Sequence, residues 1–278
     1  MTALSDGTSP FQAAWLTNVT PANLEKGLAK SYLNAPVETS FSAYLVNTGT
    51  KIVLVDAGSG ALLGPALGKL LGNLAAAGYR PEQIDEIYVT HLHADHVGGL
   101  MSGGKIAFPN AIVRADAHDA AYWLSDENLK KSPADMKIFF EGARTSLNPY
   151  IAAGKFKPFD GDTDLVPGVK AVATRGHTPG HAFYVAESKG QRMVFWGDLV
   201  HVAALQLPNP SVTVIFDVDN KAAVVRRRKA FADAANRGDL IAASHISFPG
   251  IGRLRAEGKG YAWVPINYSV KAATTPAP

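Results

Sequence analysis

The six residues from His91 to His96 restrict the fold of this chain more than any other stretch. They read HLHADH and directly follow a strand-like run, residues 84–90. Because side chains alternate along an extended segment, His91 and His93 face one side, and Asp95 falls on the turn that follows. Imidazole nitrogens and carboxylate oxygens bind zinc at about 2.0 to 2.2 Å. Four donors exceed what one catalytic metal with an open position takes, so the spacing predicts two metals rather than a His-rich surface loop.

Four further segments place polar side chains just after short apolar runs. Residues 176–181 read GHTPGH, residues 196–198 read WGD, residues 244–245 read SH, and Asp56 follows the run VLV. Loops at the strand ends of a layered α/β domain gather its functional groups, so these side chains are expected to converge on the histidine cluster. For Asp56 alone, an ordinary cap at a strand end is an alternative.

Taken in chain order, these motifs resemble those of a known superfamily. Asp56, HLHADH, GHTPGH, Gly197-Asp198 and Ser244-His245 are similar to the five ordered motifs of the metallo-β-lactamase fold superfamily. The stretches FPNAIVRAD, SLNPYIAAGKFKPF, GDLVHVAALQLPNPSVT and IAASHISFPGIGRLRAEGKGY resemble the methyl parathion hydrolase branch and its lactonase and arylesterase relatives. The resemblance implies an α/β protein, the αβ/βα four-layer sandwich, with two sheets face to face and helices outside.

The order of secondary structure agrees with one domain of this kind. Strand and helix signals occur at residues 41–47, 51–56, 62–78, 115–124 and 134–150. The motifs are spread along the whole chain, so a division into two domains would also divide the site. We therefore predict a single domain over residues 1–278, with about residues 1–10 and 272–278 flexible.

The resemblance also implies a ligand set for two divalent metal ions. The expected ligands of the first ion are His91, His93 and His177. The expected ligands of the second ion are Asp95, His96 and His245. Asp198 is expected to bridge the two ions together with a hydroxide, and Asp95 and Asp198 are the expected catalytic residues. Zinc is the expected metal, with Mn, Co or Fe as alternatives.

Three other polar residues near these motifs have different expected roles. Asp56 is expected to accept a hydrogen bond from a ligand histidine and to fix its tautomer. His181, which the Pro179-Gly180 turn positions, is expected to lie beside the ligands without binding metal. His118 has no partner motif and is predicted to lie on the surface of a helix.

Several large side chains lie in segments that should cover the site. Those expected to line the substrate pocket are Leu16, Trp123, Phe139, Phe140, His201 and Phe216. For the five apolar residues, burial in the core is an alternative of equal weight, because large apolar side chains are usually buried for packing. His201 follows Asp198 by three residues and is predicted to donate a hydrogen bond in the pocket without binding metal.

Composition restricts the function classes. The chain has 278 residues, 47% of them hydrophobic, which suffices for one large core, and no cysteine, which excludes cysteine ligands, nucleophiles and disulfides. The net charge is only +3, and the densest basic run, residues 224–229, is predicted to be a solvated helix face. Neither nucleic acid nor a membrane is an expected partner. The N-terminus does not read as a signal peptide, although a mature periplasmic or secreted form fits the resemblance.

The predicted chemistry is hydrolysis of small neutral esters. Two cations about 3.5 to 4 Å apart lower the pKa of a water between them and polarise a carbonyl or phosphoryl oxygen. A bulky Phe216 favours flat lactones over the roomier transition state at phosphorus, so we expect a lactonase or arylesterase for dihydrocoumarin-type lactones with side phosphotriesterase activity. The alternatives are a dedicated organophosphate hydrolase, an acyl-homoserine lactone hydrolase, and a non-catalytic metal-binding or redox protein. The branch resemblance further implies a homodimer.

Overall fold

Strands and helices alternate along the chain in the computed structural model, which describes residues 1–267. The predicted flexible tail, residues 272–278, lies outside the described residues. The strands are β1 (Thr2–Phe11), β2 (Leu16–Thr17), β3 (Val37–Asn47), β4 (Ile52–Val55), β5 (Glu86–Tyr88), β6 (Met101–Ser102), β7 (Lys105–Ile106), β8 (Ile112–Arg114), β9 (Thr163–Val166), β10 (Val169–Ala173), β11 (Ala182–Ser188), β12 (Gln191–Phe195), β13 (Thr213–Val214), β14 (Leu240–Ala242), β15 (Ile251–Glu257) and β16 (Gly260–Pro265).

The helices differ widely in length. They are α1 (Pro21–Ala29), α2 (Leu70–Ala76), α3 (Ala94–Val97), α4 (Ala117–Trp123), α5 (Asp126–Lys131), α6 (Lys137–Ala152), α7 (Ala203–Gln206) and α8 (Asn220–Arg237). Within residues 1–267, no helix is both long enough and apolar enough to cross a membrane. The longest, α8, has 18 residues and is capped by Asp219, whose side chain accepts hydrogen bonds from two backbone amides of the first turn.

Two mixed sheets form the centre of the molecule. The first has the order β1-β3-β4-β5-β8 and the second the order β16-β15-β14-β12-β11-β10-β9. In the first sheet β5 is parallel to β4, and in the second β14 is parallel to β12. Parallel neighbours end at the same edge of a sheet, so the loops after these four strands come together. These loops carry Asp56, the HLHADH run, Asp198 and His245, whereas the GHTPGH motif follows β10.

Three apolar layers hold the sheets and helices together. Between the sheets, Tyr88 stacks on Tyr184 with ring centroids 5.2 Å apart. On the outer face of the first sheet, strand residues such as Ile87 are buried in one cluster with Phe140 of α6, and on the outer face of the second sheet Val194 is buried with Phe231 of α8. Helix, sheet, sheet and helix layers therefore follow one another, which confirms the predicted αβ/βα four-layer sandwich.

The first ten residues form a strand, which corrects the prediction that they are flexible. β1 pairs antiparallel with β3 along its length. Asp6 of β1 is fully buried, and its carboxylate accepts hydrogen bonds from Ser59 N and Oγ, Gly68 N and Leu70 N. This anchor lies in the middle of the segment and satisfies the loop between β4 and α2. The sequence of this strand, TALSDGTSPF, consists mostly of small and polar residues and lacks a regular alternation of apolar and polar side chains, so it resembles a flexible polar terminus.

The predicted helix over residues 62–78 is much shorter in the structure. Only α2, Leu70–Ala76, is helical. Gly64 and Gly68 adopt φ values of 88° and 75°, in the left-handed region where helices end. The apolar spacing of residues 62–69 instead serves a loop that packs under β1.

Candidate metal centre

The histidine loop, residues 91–96, begins just after β5 and ends in the short helix α3. Asp56 holds its start, because Oδ1 accepts a hydrogen bond from Thr90 N at 2.7 Å and Oδ2 accepts one from Thr90 Oγ1 at 2.9 Å. Asp56 has a left-handed φ of 61°, which a non-glycine residue keeps only where its surroundings impose it. Further along, Leu92 N donates to Asp119 Oδ2 at 2.8 Å. The backbone is therefore held on both sides of His91.

Seven side chains from both halves of the chain meet in two groups that share Asp198. The first group is His91, His93, His177 and Asp198, and the second is Asp95, His96, Asp198 and His245. Within each group the candidate ligand atoms all lie within 4.8 Å of one another. The structure thus brings together the seven residues that the resemblance suggested as ligands, in the two sets that it suggested.

Several of the candidate ligand atoms make no hydrogen bond with one another although they lie close together, an arrangement that fits bound divalent cations. Asp198 Oδ1 lies 3.0 Å from His96 Nε2 and from His245 Nε2. The contact with His96 is short but lacks the alignment of a hydrogen bond. Among the residues that the structure describes, His91 Nε2, His96 Nε2 and Asp198 Oδ1 are buried with no hydrogen-bond partner. Buried polar atoms are normally paired, so a set of unpaired imidazole and carboxylate donors fits bound cations.

Three of the candidate ligand histidines are oriented through Nδ1, which leaves Nε2 to face the group. The contacts are His96 to Asp56 Oδ2 (2.8 Å), His177 to Asp217 Oδ1 (2.7 Å) and His245 to the Ser40 carbonyl oxygen (3.0 Å). An oxygen at Nδ1 fixes the tautomer and the ring direction of a histidine that binds metal through Nε2. Asp56 lies where the sequence predicted it.

His181 contacts the backbone of Asp198 and belongs to neither ligand group. Its Nδ1 lies 2.8 Å from Thr174 Oγ1, and its Nε2 accepts a hydrogen bond from Asp198 N at 3.2 Å. Gly197 has a left-handed φ of 51°, and a Cβ atom there would lie 2.8 Å from His181 Nε2. The glycine before Asp198 is therefore required for this close approach, which aims the carboxylate at the histidine loop.

Burial and neighbouring charges shift the pKa values of the groups in the site, some downwards and some upwards. Burial lowers the pKa of His91 well below its ordinary value and that of His181 to about 3, which keeps both rings neutral. Burial also acts on His177 and His245, but hydrogen bonds and attraction to nearby carboxylates, Asp198 first, outweigh it and raise their pKa to about 9 and about 10. Burial alone would raise the pKa of Asp198, yet the surrounding histidines hold it well below its usual range. Asp198 is therefore ionised.

An apolar cavity of about 450 Å³ opens above the two groups. Its floor includes His93, Asp95, Asp198 and His245. Its walls carry the aromatic side chains of Phe11, Trp15, Phe41, Phe139 and Phe216. The rings of Phe11, Trp15, Phe216 and Phe139 touch in series, with centroids 5.4 Å apart for Trp15 and Phe216 and 5.8 Å apart for Phe139 and Phe216. Among the described residues that line the cavity there is no Lys or Arg.

Only some of the predicted pocket residues line this cavity. Those that do are Phe139, His201 and Phe216. Leu16, Trp123 and Phe140 do not line it, which corrects the prediction and matches the alternative of burial in the core. Leu16 pairs with Val214 in the ribbon of β2 and β13. Trp123 and Phe140 are fully buried in the core cluster of the first sheet, and Trp123 packs edge-on against the His93 ring with centroids 4.9 Å apart.

His201 lies in the cavity wall beside the shared carboxylate. Its Nε2 is 3.0 Å from Asp198 Oδ2, and its ring stacks on His245 with centroids 5.2 Å apart. His201 belongs to neither ligand group. The sequence predicted a pocket residue, and the structure adds that its hydrogen bond goes to Asp198.

The sequence-based prediction missed two buried acids. Asp217 holds His177 as described above. Asp119 accepts hydrogen bonds from Leu92 N at 2.8 Å and Gly180 N at 2.5 Å, so it joins the two motif loops, and burial raises its pKa to about 6. Neither acid belongs to a motif in its own segment. A single acid in a loop or at a helix start has the same local sequence whether it caps a turn or holds a ligand.

His118 lies on α4 with 46% of its side chain exposed, as predicted for a surface residue. With Asp116 and Asp160 it forms a third acidic cluster. Arg175 Nη2 lies 3.0 Å from His118 Nδ1 and 3.1 Å from Asp160 Oδ1. This guanidinium already places one positive charge beside the two carboxylates.

Comparison with known proteins gives relatives over most of the chain. The hydrolase AbOPH of the beta-lactamase superfamily has a crystal structure that is 39% identical, with a TM-score of 0.91, covering 96% of this chain and 94% of its own. An N-acyl homoserine lactonase from Bacillus sp. is 34% identical over 121 residues, which are 44% of this chain. Ribonuclease TTHA0252 from Thermus thermophilus is 29% identical over 183 residues, which are 65% of this chain.

The chain spans 40% of the length of each of these two curated relatives. The family model described as the metallo-beta-lactamase superfamily matches residues 39–245, a range that begins in β3 and ends at His245. It therefore contains all seven candidate ligands. On this match, and on the fold it accompanies, the chain belongs to the metallo-beta-lactamase superfamily.

Proposed function

We propose that this protein is a binuclear metal-dependent hydrolase of neutral esters, with aromatic lactones and aryl esters as preferred substrates. The observation that carries the proposal is the pair of ligand groups sharing Asp198 beneath an aromatic cavity. Zinc is the proposed metal, because imidazole and carboxylate donors suit it, with Mn, Co or Fe as alternatives. When bound, two such cations activate water and polarise the substrate carbonyl.

The side chains around the cavity bind and orient the substrate. Trp15, Phe139 and Phe216 form a wall on which a flat ring can stack, and the wall keeps bulk water from the reacting carbonyl. His201 holds the Asp198 carboxylate in place through its 3.0 Å contact. Asp95 and Asp198 both reach the cavity floor as carboxylates, and their oxygens are acceptors for the proton released on hydrolysis.

The charge of the cavity supports a neutral substrate. A nuclease site contacts phosphates with Lys and Arg side chains, and none of the described lining residues is of either type. The ribonuclease among the relatives therefore supports the hydrolytic chemistry better than it supports RNA as the substrate. A substrate that carries a free carboxylate would likewise meet no Lys or Arg side chain among the described residues that line this cavity.

Steric fit supports lactones and aryl esters over phosphotriesters. Attack at a carbonyl passes through a tetrahedral state, whereas attack at phosphorus needs room for three spreading substituents. Phe216 packs against both Trp15 and Phe139, so it has little freedom to make that room. Phosphotriester hydrolysis of the methyl parathion type is therefore proposed as a side activity. An acyl-homoserine lactone is the second candidate substrate, because a curated lactonase is 34% identical over 121 residues.

The test is a substrate panel with zinc-loaded protein: dihydrocoumarin, an aryl acetate, an acyl-homoserine lactone and methyl paraoxon. We expect kcat/KM for dihydrocoumarin to exceed that for methyl paraoxon at least tenfold, which needs about 1.4 kcal/mol of differential transition-state binding. A higher value for methyl paraoxon would make the protein an organophosphate hydrolase, and a higher value for the homoserine lactone would make it a quorum-signal lactonase. No turnover of any ester with two metals bound would leave a non-catalytic metal-binding or redox protein.

We also propose that the protein is a homodimer and that it acts in the periplasm or outside the cell. Both proposals rest on the similarity of its long motif stretches to the methyl parathion hydrolase branch. Light scattering of the purified protein tests the first, and fractionation of cells that express the native gene tests the second. A monomer at micromolar concentration would contradict the dimer.

A further inference from the structure

One arginine of the basic run on α8 is buried, which corrects the prediction that the whole run is solvated. Arg226, Arg228 and Lys229 are exposed, but only 1% of the surface of Arg227 is accessible. A buried guanidinium is costly unless its donors are paired. Its partners therefore indicate why the chain keeps a charge at this position.

The guanidinium of Arg227 joins separate segments of chain. Its Nε donates to the Leu199 carbonyl oxygen at 2.7 Å, and its Nη1 donates to the carbonyl oxygens of Val212 at 2.7 Å and Pro210 at 3.1 Å. Its Nη2 lies 3.9 Å from Asp217 Oδ2. Leu199 directly follows Asp198, the carboxylate that both ligand groups share.

Asp217 carries the contact on to the other ligand. Its Oδ1 lies 2.7 Å from His177 Nδ1, and its Oδ2 accepts a hydrogen bond from Val214 N at 3.1 Å. The carboxylate of Asp217 thus lies between Arg227 and His177.

We infer that Arg227 is a positioning residue for the metal centre: it orients His177 through Asp217 and Asp198 through the Leu199 carbonyl. This inference rests on the proposed function. Arginine suits the task because its planar fork donates in several fixed directions and stays charged. Lysine keeps the charge but has one nitrogen, so it cannot reach the Leu199, Val212 and Asp217 oxygens together.

The test measures zinc affinity, by chelator competition, for the variants Arg227→Met, Arg227→Lys and Asp217→Asn. We expect each variant to raise at least one of the two zinc dissociation constants about 10- to 100-fold, which is the usual effect of removing a hydrogen-bond partner of a metal ligand. Arg226→Met is the matched surface control, and both of its zinc dissociation constants should equal those of the wild type. Because Arg227 and Asp217 act on the same histidine, the double variant Arg227→Met/Asp217→Asn should lose less than the product of the single effects.

A second control separates positioning from loss of stability. Phe231 lies one turn further along α8 and is fully buried, so Phe231→Leu weakens the same helix without touching the centre. The inference is supported if Phe231→Leu keeps the zinc dissociation constants of the wild type while Arg227→Lys raises at least one of them. Unchanged constants in the folded Arg227 variants, or an equal loss in Phe231→Leu, overturn it. A wild-type protein that binds no metal would instead refute the proposed function, and this inference with it.

Discussion

At the residue scale, Asp198 links the two ligand groups because its two oxygens face different histidines. Oδ1 lies 3.0 Å from Nε2 of His96 and of His245, whereas Oδ2 lies 3.4 Å from His177 Nε2. Its negative charge would lie between two cations held by the two groups. No neighbouring acid can replace it, since Asp95 reaches only the second group.

We predict that Asp198→Ala loses at least one of the two metals. Both ions lose a ligand and a share of the compensating charge, so the weaker site should empty at micromolar free zinc. Elemental analysis after gel filtration measures the stoichiometry, and Asp126→Ala, an exposed acid on α5, serves as the control. Two metals and near-full activity in Asp198→Ala would show that the binuclear assignment is wrong.

His201→Leu should separate substrate handling from metal binding. His201 belongs to neither ligand group, so we expect two metals to remain bound at saturating zinc. Its hydrogen bond to Asp198 Oδ2 is lost, and an apolar side chain replaces a polar one in the cavity wall. kcat/KM should fall about tenfold or more and the order of substrates should change, as expected when one positioned polar group is removed. Identical kinetics across the substrate panel would remove His201 from the proposed site.

Sequence reasoning predicted the seven residues that meet in the two groups but missed residues such as Asp217 and Arg227, for a physical reason. A metal needs several donors at close quarters, and short motifs such as HLHADH supply them within a few residues. Asp217 holds a histidine that lies 40 residues earlier in the chain, and Arg227 reaches a carbonyl 28 residues earlier. Such contacts depend on tertiary packing. A basic run on a helix has the same sequence whether or not one of its members turns inward.

At the scale of elements, the strands that carry motifs were predicted closely, whereas the N-terminal strand and α2 were not. The run before Asp56 and residues 87–89 before His91 are apolar because they are buried between layers. β1 contains Asp6, Gly7 and Ser9, and its register slips between Ser5 and Gly7, so its pattern is not one of regular alternation. Asp6 shows that this polar position is structural.

Asp6→Ala should lower the free energy of unfolding by about 3 kcal/mol or more. The change leaves the amides of Ser59 and Leu70 and the hydroxyl of Ser59 without their acceptor, and each buried unpaired donor costs about 1 to 3 kcal/mol. Urea unfolding followed by fluorescence measures the loss. Glu38→Ala, at an exposed position of the paired strand β3, should change stability by less than about 0.5 kcal/mol. Equal midpoints for the two variants would mean that Asp6 does not anchor the loop.

At the scale of the whole molecule, the proposed centre joins the two halves of the sandwich. The histidine loop follows β5 of the first sheet, whereas His177, Asp198 and His245 lie at strand ends of the second. These seven side chains lie at this edge together with hydrogen bonds between the halves, such as the one from Gly180 N to Asp119, which also accepts one from Leu92 N. Any ion that binds them should therefore stabilise the fold as well as the reaction.

Removal of the metals should lower the melting temperature, and added zinc should restore it. A ligand that binds only the folded state stabilises it by about 2.7 kcal/mol per site when its free concentration is one hundred times its dissociation constant. For a domain of this size, each kcal/mol shifts the melting temperature by about 2 to 4 °C, so one zinc site contributes about 5 to 10 °C. Differential scanning calorimetry of chelator-treated protein, with and without zinc, measures this shift. Asp198→Ala should respond to zinc with a smaller shift, because both sites lose a ligand. If zinc left the melting temperature of the wild type unchanged, the centre would not connect the two sheets.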